Sequence, residues 1–145
     1  MVMKIITREM TEKDAEDVNA LSKQLGYPLS IEQTLQNIRA ILHSKDHTAF
    51  VAEYENKIVG WIGAAQATMI EVMPHCEING LVIDEHHRGT GIGRLLIDSV
   101  KHWAKEKGND KISLHCNVKR TGAHLFYEHL GFAELKQQKN FVINI

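Results

Sequence analysis

A chain of 145 residues, 43% apolar and 24% charged, has the length and balance of one compact domain, and no apolar run approaches the roughly 20 residues of a membrane helix. Seventeen basic against 18 acidic side chains leave a formal charge of −1, so no global field draws the chain to nucleic acid or an acidic membrane, and any anion site has to be local. Cys76 and Cys116 are far apart without CxxC spacing, and the histidine pairs His86/His87 and His124/His129 lack the i, i+4 spacing of two ligands on one helical face; this predicts reduced thiols and no metal.

No repeat, low-complexity tract or linker divides the sequence, so residues 1–145 are expected to form a single domain. The opening "MVMKIITREMTEKD" is charged by its eighth residue and shows no apolar core with a cleavage site, which predicts a cytoplasmic protein. "VMKIIT" alternates like a first strand. "TEKDAEDVNALSKQL" follows, with Thr11 as N-cap, acids in the first turn and a stripe of Ala15, Val18, Leu21 and Leu25. After the break at "GYP", Ser30 caps a second helix, "IEQTLQNIRAILHS", whose Ile31, Leu35, Ile38 and Leu42 share a face.

"TAFVAEY" and "KIVGWIGAAQA" are strand-like runs joined through Glu55 and Asn56, the form of an antiparallel hairpin. "EINGLVID" is another strand, and Ile92, Leu96, Val100 and Trp103 then recur at helical spacing up to Gly108. "KISLHCNV" predicts a short strand, "RTGAHLFYEHL" a helix with Ala123, Phe126, Tyr127 and Leu130 on one face, and "NFVINI" a terminal strand. Strands after each of the last two helices make a mixed α/β sheet with helices packed on it.

The junction "DEHHRGTGIGRLLID", residues 84–98, carries the chemistry. A glycine turn opening a helix bares several N–H groups where the helix dipole is positive, and Arg88 and Arg94 add charged donors, so the expected guest is a phosphate or pyrophosphate. Solvated arginines on a plain strand-to-helix turn are the bland alternative. A P-loop would need GxxxxGK[ST], which is absent. A dinucleotide fingerprint would need GxGxxG on an early βαβ unit, whereas Gly89, Gly91 and Gly93 are evenly spaced and late in the chain.

The sequence resembles the GNAT superfamily of acetyl-coenzyme-A-dependent N-acetyltransferases. Arg88, Gly91 and Gly93 in "RGTGIG" match its [Q/R]xxGx[G/A] pattern. "LVIDEHHRGTGIGRLLID" looks like its fourth strand, pyrophosphate loop and third helix, and "NVKRTGAHLFYEHLGF" like its fifth-strand exit and fourth helix. Upstream, "LSKQLGYPLSIEQTLQNI" resembles its paired first helices. Glu85 departs from the proline many members carry.

The resemblance implies an α/β (α+β) fold. Its sheet is mixed, mostly antiparallel and twisted, with six to seven strands, splayed between the fourth and fifth, and about four helices cover both faces. It also implies acetyl-CoA as co-substrate, held by Leu81, Val82, Ile83, Arg88, Gly89, Thr90, Gly91, Ile92, Gly93, Arg94, Asn117, Ala123, Phe126 and Tyr127. Leu81 and Ile83 would offer unpaired N–H groups to the pantetheine arm, with Leu81 polarising the thioester carbonyl and Gly80 easing a bulge. Homodimerisation follows from the resemblance alone.

An alkylammonium has no lone pair, so a base is needed near the strand split. Glu77 shares side-chain parity with Asn79 and Leu81 and is the candidate, directly or through a water; a strand-end glutamate facing solvent is the alternative. Tyr127 is the candidate acid for the departing thiolate, against a role in helix packing beside Phe126. His115 stays outside the catalytic set, and Cys116 reads as a small core residue, which favours direct transfer in a ternary complex. The expected acceptor is a small-molecule primary amine, shaped by Tyr27 and residues 66 to 76; the alternatives are a protein or peptide amine, or a module that binds acyl-CoA without turnover.

Overall fold

The computed structural model describes residues 4–145, so the start of the first predicted strand lies outside the described residues. The chain forms two compact units, one ending at Leu114 and the other spanning His115–Ile145.

The first unit runs β1 (Ile6–Glu9), α1 (Ala15–Gln24), α2 (Ile31–Leu42), β2 (His47–Tyr54), β3 (Lys57–Ala67), β4 (His75–Ile83), α3 (Ile92–Glu106) and β5 (Ile112–Leu114). The strands pair in that order, antiparallel from β1 to β4 and parallel between β4 and β5. Along β3 the side chains divide between two cores. Trp61 joins Val18, Leu21, Ile38, Val51 and Val82 in the cluster under α1 and α2. Gly60 faces Ile92 of α3, whose Leu96, Ile97 and Val100 are fully buried, so helices cover both faces of the sheet.

Local signals account for the element ends. Ser30 Oγ, the expected N-cap, accepts the Gln33 N–H at 3.1 Å, and Gln33 Oε1 accepts the Ser30 N–H at 2.9 Å, which completes a reciprocal capping box at the head of α2. Thr11 caps a 3₁₀ turn, Glu12–Asp14, that leads into α1. Glu55 and Asn56 both adopt positive φ, 50° and 63°, the type I′ geometry that closes a two-residue hairpin.

Among the described residues, one buried side-chain polar atom, Trp61 Nε1, lacks a hydrogen-bond partner, and the buried ionic and amide groups are paired. Arg8 on β1 grips both oxygens of Asp14 at 2.8 and 2.7 Å and reaches Glu53 of β2 at 2.8 Å. Burial alone would raise the Asp14 carboxyl, but the Arg8 bonds and the Thr11 N–H outweigh it and hold it below the usual carboxylate value. Asn19 donates to Leu29 O and Thr34 Oγ1, fastening α1 to α2 and the segment between them.

The second unit holds α4 (Thr121–His129), with Ala123, Phe126, Tyr127 and the C-cap Leu130 half-buried, and a tail without regular structure. Two strand predictions are corrected. "KISLHCNV" yields only the three residues of β5, and "NFVINI" forms no strand, leaving Phe141, Val142 and Ile143 exposed. β-branched alternation supplies propensity, but a strand exists only through a hydrogen-bonded neighbour, and the second unit contains none. Among the described residues the sheet therefore has five strands where six to seven were expected.

Candidate active site

The register of β4 against β3 changes at one place: Gly63 faces Gly80, but Ala64 faces Ile78, so Asn79 is an extra residue and β4 bulges there. The bulge decides which amides face outward. Below it, Cys76 donates toward β5, to Lys111 O at 3.1 Å. Above it, Asp84 donates to Val59 O of β3 at 2.9 Å, and backbone direction alternates along an extended strand. Gly80 and Val82 therefore turn to β3, while Leu81 and Ile83 turn their N–H groups to the other edge. Pairing with β5 stops at Ile78, so among the described residues no strand covers that edge beside Leu81 and Ile83.

The bulge also corrects the expected side-chain parity. Glu77 pairs with Ala65 and Leu81 with Ile62, three residues away on β3, which puts the Glu77 and Leu81 side chains on opposite faces. Glu77 shares its face with Trp61 and Gly80. Val82 sends its backbone to β3 and its side chain into the core, 2% exposed, so it serves the open edge only as the spacer between two donors.

Beyond β4 a 3₁₀ turn, Glu85–His87, leads to Arg88 and the glycine loop. Gly89 and Gly91 have φ of 77° and 87°, in the left-handed region. A Cβ at either would meet nothing of the chain within 4 Å, so backbone conformation rather than crowding requires glycine. Gly91 is the N-cap of α3, with no side-chain cap and no acid in the first turn, which leaves the leading amides of a 15-residue helix uncapped. Arg88, Gly89, Thr90, Gly91 and Arg94 are exposed around this end, whereas Ile92 and Gly93 are buried and present only their backbone.

Asn117, Ala123, Phe126 and Tyr127 belong to the second unit. Asn117 Oδ1 accepts the Lys119 N–H at 2.9 Å, and Asn117 O meets His124 Nε2 at 2.8 Å. α4 ends with Phe132 N–H donating to Tyr127 O and Gly131 N–H to Glu128 O, Gly131 at φ 99°. That closure sets the Phe132 ring edge-on to Tyr127, at 5.9 Å between centroids, and Phe126 meets Tyr127 similarly at 5.3 Å. Burial first, and Cys116 second, push the Tyr127 phenol above its ordinary range against a pull from Arg120.

A family model described as "Acetyltransferase (GNAT) family" matches residues 10–132. The chain belongs to that family. It is accordingly an acetyl-CoA-dependent N-acetyltransferase. The Bacillus subtilis protein "Uncharacterized N-acetyltransferase YhdJ" is 32% identical over 129 residues, 86% of this chain and 89% of that protein. A Methanocaldococcus jannaschii protein, "Uncharacterized N-acetyltransferase MJ1207", is 34% identical over 95 residues, of which it is a longer relative: the match spans 64% of this chain and 42% of that one. The crystal structure of aminoglycoside N-acetyltransferase AAC(6')-Iy in complex with CoA has the same fold, with a TM-score of 0.88, 19% identity and coverage of 100% of this chain and 98% of that one.

Two features of this GNAT chain bear on sulfur chemistry. Cys76 is buried, and desolvation, with a contribution from Glu77, pushes its thiol up to about 11, which removes it as a nucleophile at neutral pH. Cys116 is half-buried rather than in the core as expected.

Residues the sequence did not single out surround the start of the loop. Gln24 at the end of α1 bonds to Asp84 and Glu85, and Asp84 bonds to His87. Burial would raise the Asp84 carboxyl, but bonds from Gln24, His87 and the His86 N–H hold it below its usual value. "DEHH" showed a charged turn, but a partner sixty residues earlier in the chain left no local trace.

Proposed function

We propose that this acetyltransferase moves the acetyl group of acetyl-CoA to the primary amine of a small molecule, by direct attack in a ternary complex. The observation that carries the reading is the uncapped amino end of α3, entered through Gly89 and Gly91 at positive φ with Arg88 and Arg94 exposed beside it. In this reading the amides from Gly89 to Arg94, Thr90 among them, and the two guanidiniums hold the pyrophosphate of coenzyme A. Leu81 and Ile83 pair with the pantetheine arm as an added strand would, and the resemblance of the segment from Asn117 to Phe132 assigns Asn117, Ala123 and Phe126 to the coenzyme as well.

The chemistry assigned to the side chains balances as follows. The amine nitrogen attacks the thioester carbonyl carbon while the Leu81 N–H stabilises the oxygen as it gains charge. Glu77, directly or through a water, takes the amine's proton. The C–S bond breaks, and the Tyr127 phenol gives its proton to the leaving thiolate; a phenol held above its ordinary range by burial stays protonated, as a donor must. With Cys76 buried and protonated, no acyl-enzyme is needed.

A small acceptor is favoured by the absence of a long charged groove signalled in the sequence, and it agrees with the aminoglycoside named for the structural neighbour. Thiol release is the test, run with matched panels of small amines and peptides. Turnover on small amines is expected; turnover on peptides alone would overturn the small-molecule reading. Thermal-shift comparison of acetyl-CoA with ATP and NAD tests the loop, and stabilisation by either nucleotide but not by the thioester would sink it.

A further inference from the structure

Gln24 is exposed, yet both ends of its amide are spent on the turn ahead of the glycine loop. Its Oε1 accepts the Glu85 N–H at 3.1 Å, and its Nε2 donates to Asp84 Oδ1 at 3.0 Å. The second Asp84 oxygen lies 2.6 Å from His87 Nδ1, which carries the proton because an ionised carboxylate only accepts. The His87 ring meets Tyr54 edge-on at 5.9 Å, and its carbonyl accepts the Thr90 hydroxyl. Asp84 is anchored from behind by its own N–H on Val59 O.

These contacts link α1 and β3 through Asp84, with the Tyr54 ring of β2 against His87, to Thr90, which stands between the two positive-φ glycines. A primary amide offers a donor and an acceptor a couple of ångströms apart, which is what Asp84 and Glu85 jointly require; leucine, lysine or glutamate at 24 would satisfy at most one of them. α1 needs no such residue for its own packing, since the core side of the helix is Ala15, Val18 and Leu21.

We propose that Gln24 is a positioning residue for coenzyme binding: by pinning Asp84 and Glu85 to α1, it sets the path into the loop so that the amides of residues 89–94 converge before the ligand arrives. The proposal rests on the reading of that loop as the pyrophosphate site. Preorganisation of this kind acts on ligand affinity, because disorder that is already removed is not charged against binding. It leaves the bond-making step alone, so its signature is a rise in KM without a fall in kcat.

Titration calorimetry with coenzyme A, alongside steady-state kinetics with acetyl-CoA, tests it on three variants. Gln24→Ala is expected to raise the Kd for coenzyme A and the KM for acetyl-CoA by roughly five- to tenfold, with kcat within about twofold of the parent. Gln24→Glu keeps the bond to Glu85 but turns a carboxylate toward Asp84, and is expected to bind no better than Gln24→Ala. Combining Gln24→Glu with Asp84→Asn exchanges donor and acceptor and still leaves His87 a carbonyl oxygen, so affinity should return to within about twofold of the parent. Parent protein that fails to bind coenzyme A would overturn the reading of the loop and the proposal with it. Parent protein that binds, with Gln24→Ala unchanged or the double variant unrestored, would overturn the role of Gln24 alone.

Discussion

The far edge of the Trp61 indole occupies the space where a side chain at position 80 would begin: a Cβ built on Gly80 stands 2.7 Å from two carbons of the ring. The ring is rigid and packs against the α1/α2 core, so it has no easy retreat. Gly80→Ala should cost about 1–3 kcal/mol by overpacking, visible as a lower Tm and altered indole fluorescence. An unchanged Tm would show that the ring moves freely, and the close approach would lose its significance.

Two glycines with equally open surroundings should respond in opposite ways. Neither Gly91 nor Gly122 has a neighbour within 4 Å of a built Cβ, but only Gly91 has positive φ, and Gly122 lies in the first turn of α4. Gly91→Ala is expected to destabilise by roughly 1–2 kcal/mol and weaken coenzyme A binding more than about tenfold. Gly122→Ala should stabilise by roughly 0.5 kcal/mol. Denaturant melts of the two variants in parallel check the contrast.

How much of this was legible in the sequence depends on the range over which each feature is written. The Ser30 cap of α2 and the Glu55–Asn56 hairpin rest on neighbouring residues, and both were readable. So was the stripe of α3, because Ile92, Leu96 and Val100 repeat at the pitch of the helix that buries them. The bulge at Asn79 was half readable: Gly80 hinted at it, but strict alternation carried Glu77 and Leu81 to the same face, and only the register with β3 reveals the extra residue. The Gln24 contacts were invisible because they depend on where α1 ends relative to β4. "NFVINI" misled for the complementary reason, since its propensity is local and the pairing that makes a strand is not.

Removing the Tyr127 hydroxyl should separate chemistry from packing. Tyr127→Phe keeps the edge-on contacts with Phe126 and Phe132, so the Tm should stay within about a degree, while loss of a general acid should lower kcat by roughly 10²-fold or more. The phenol's folded value lies above 10.0, so the parent should lose the acid only at pH above that figure, and the variant should lack this alkaline limb. A pH–rate profile for both proteins decides it; full activity in the variant would remove Tyr127 from the mechanism.

Arg8 and Asp14 predict the acid side of the stability curve. The Asp14 carboxyl is lower in the folded chain than its unfolded value near 3.8, so its contribution is complete above that pH and drains away as pH falls through the folded value. Asp14→Asn should lose roughly 2 kcal/mol at neutral pH and show a flatter acid limb below pH 4. Thermal melts from pH 2 to 7 test both, and parallel acid limbs would show that Asp14 is not the group titrating.

The extra residue at Asn79 behaves like a reading-frame shift in a pattern with a period of two. Across it, the residues whose backbone turns away from β3 change from even to odd positions, Cys76 and Ile78 beside β5 giving way to Leu81 and Ile83 beside the uncovered edge. Deleting that single residue would join Ile78 to Gly80 opposite the consecutive Ala64 and Gly63 and leave a regular alternation, whereas an equal-length stretch of regular strand in place of β4 would turn every upper side chain to the wrong face and aim the donors back into the sheet. Segments of β4 can therefore be exchanged with those of another strand only if the break in phase is carried along with them. Sequence comparisons that close the strand without a gap would line up a core residue with a donor.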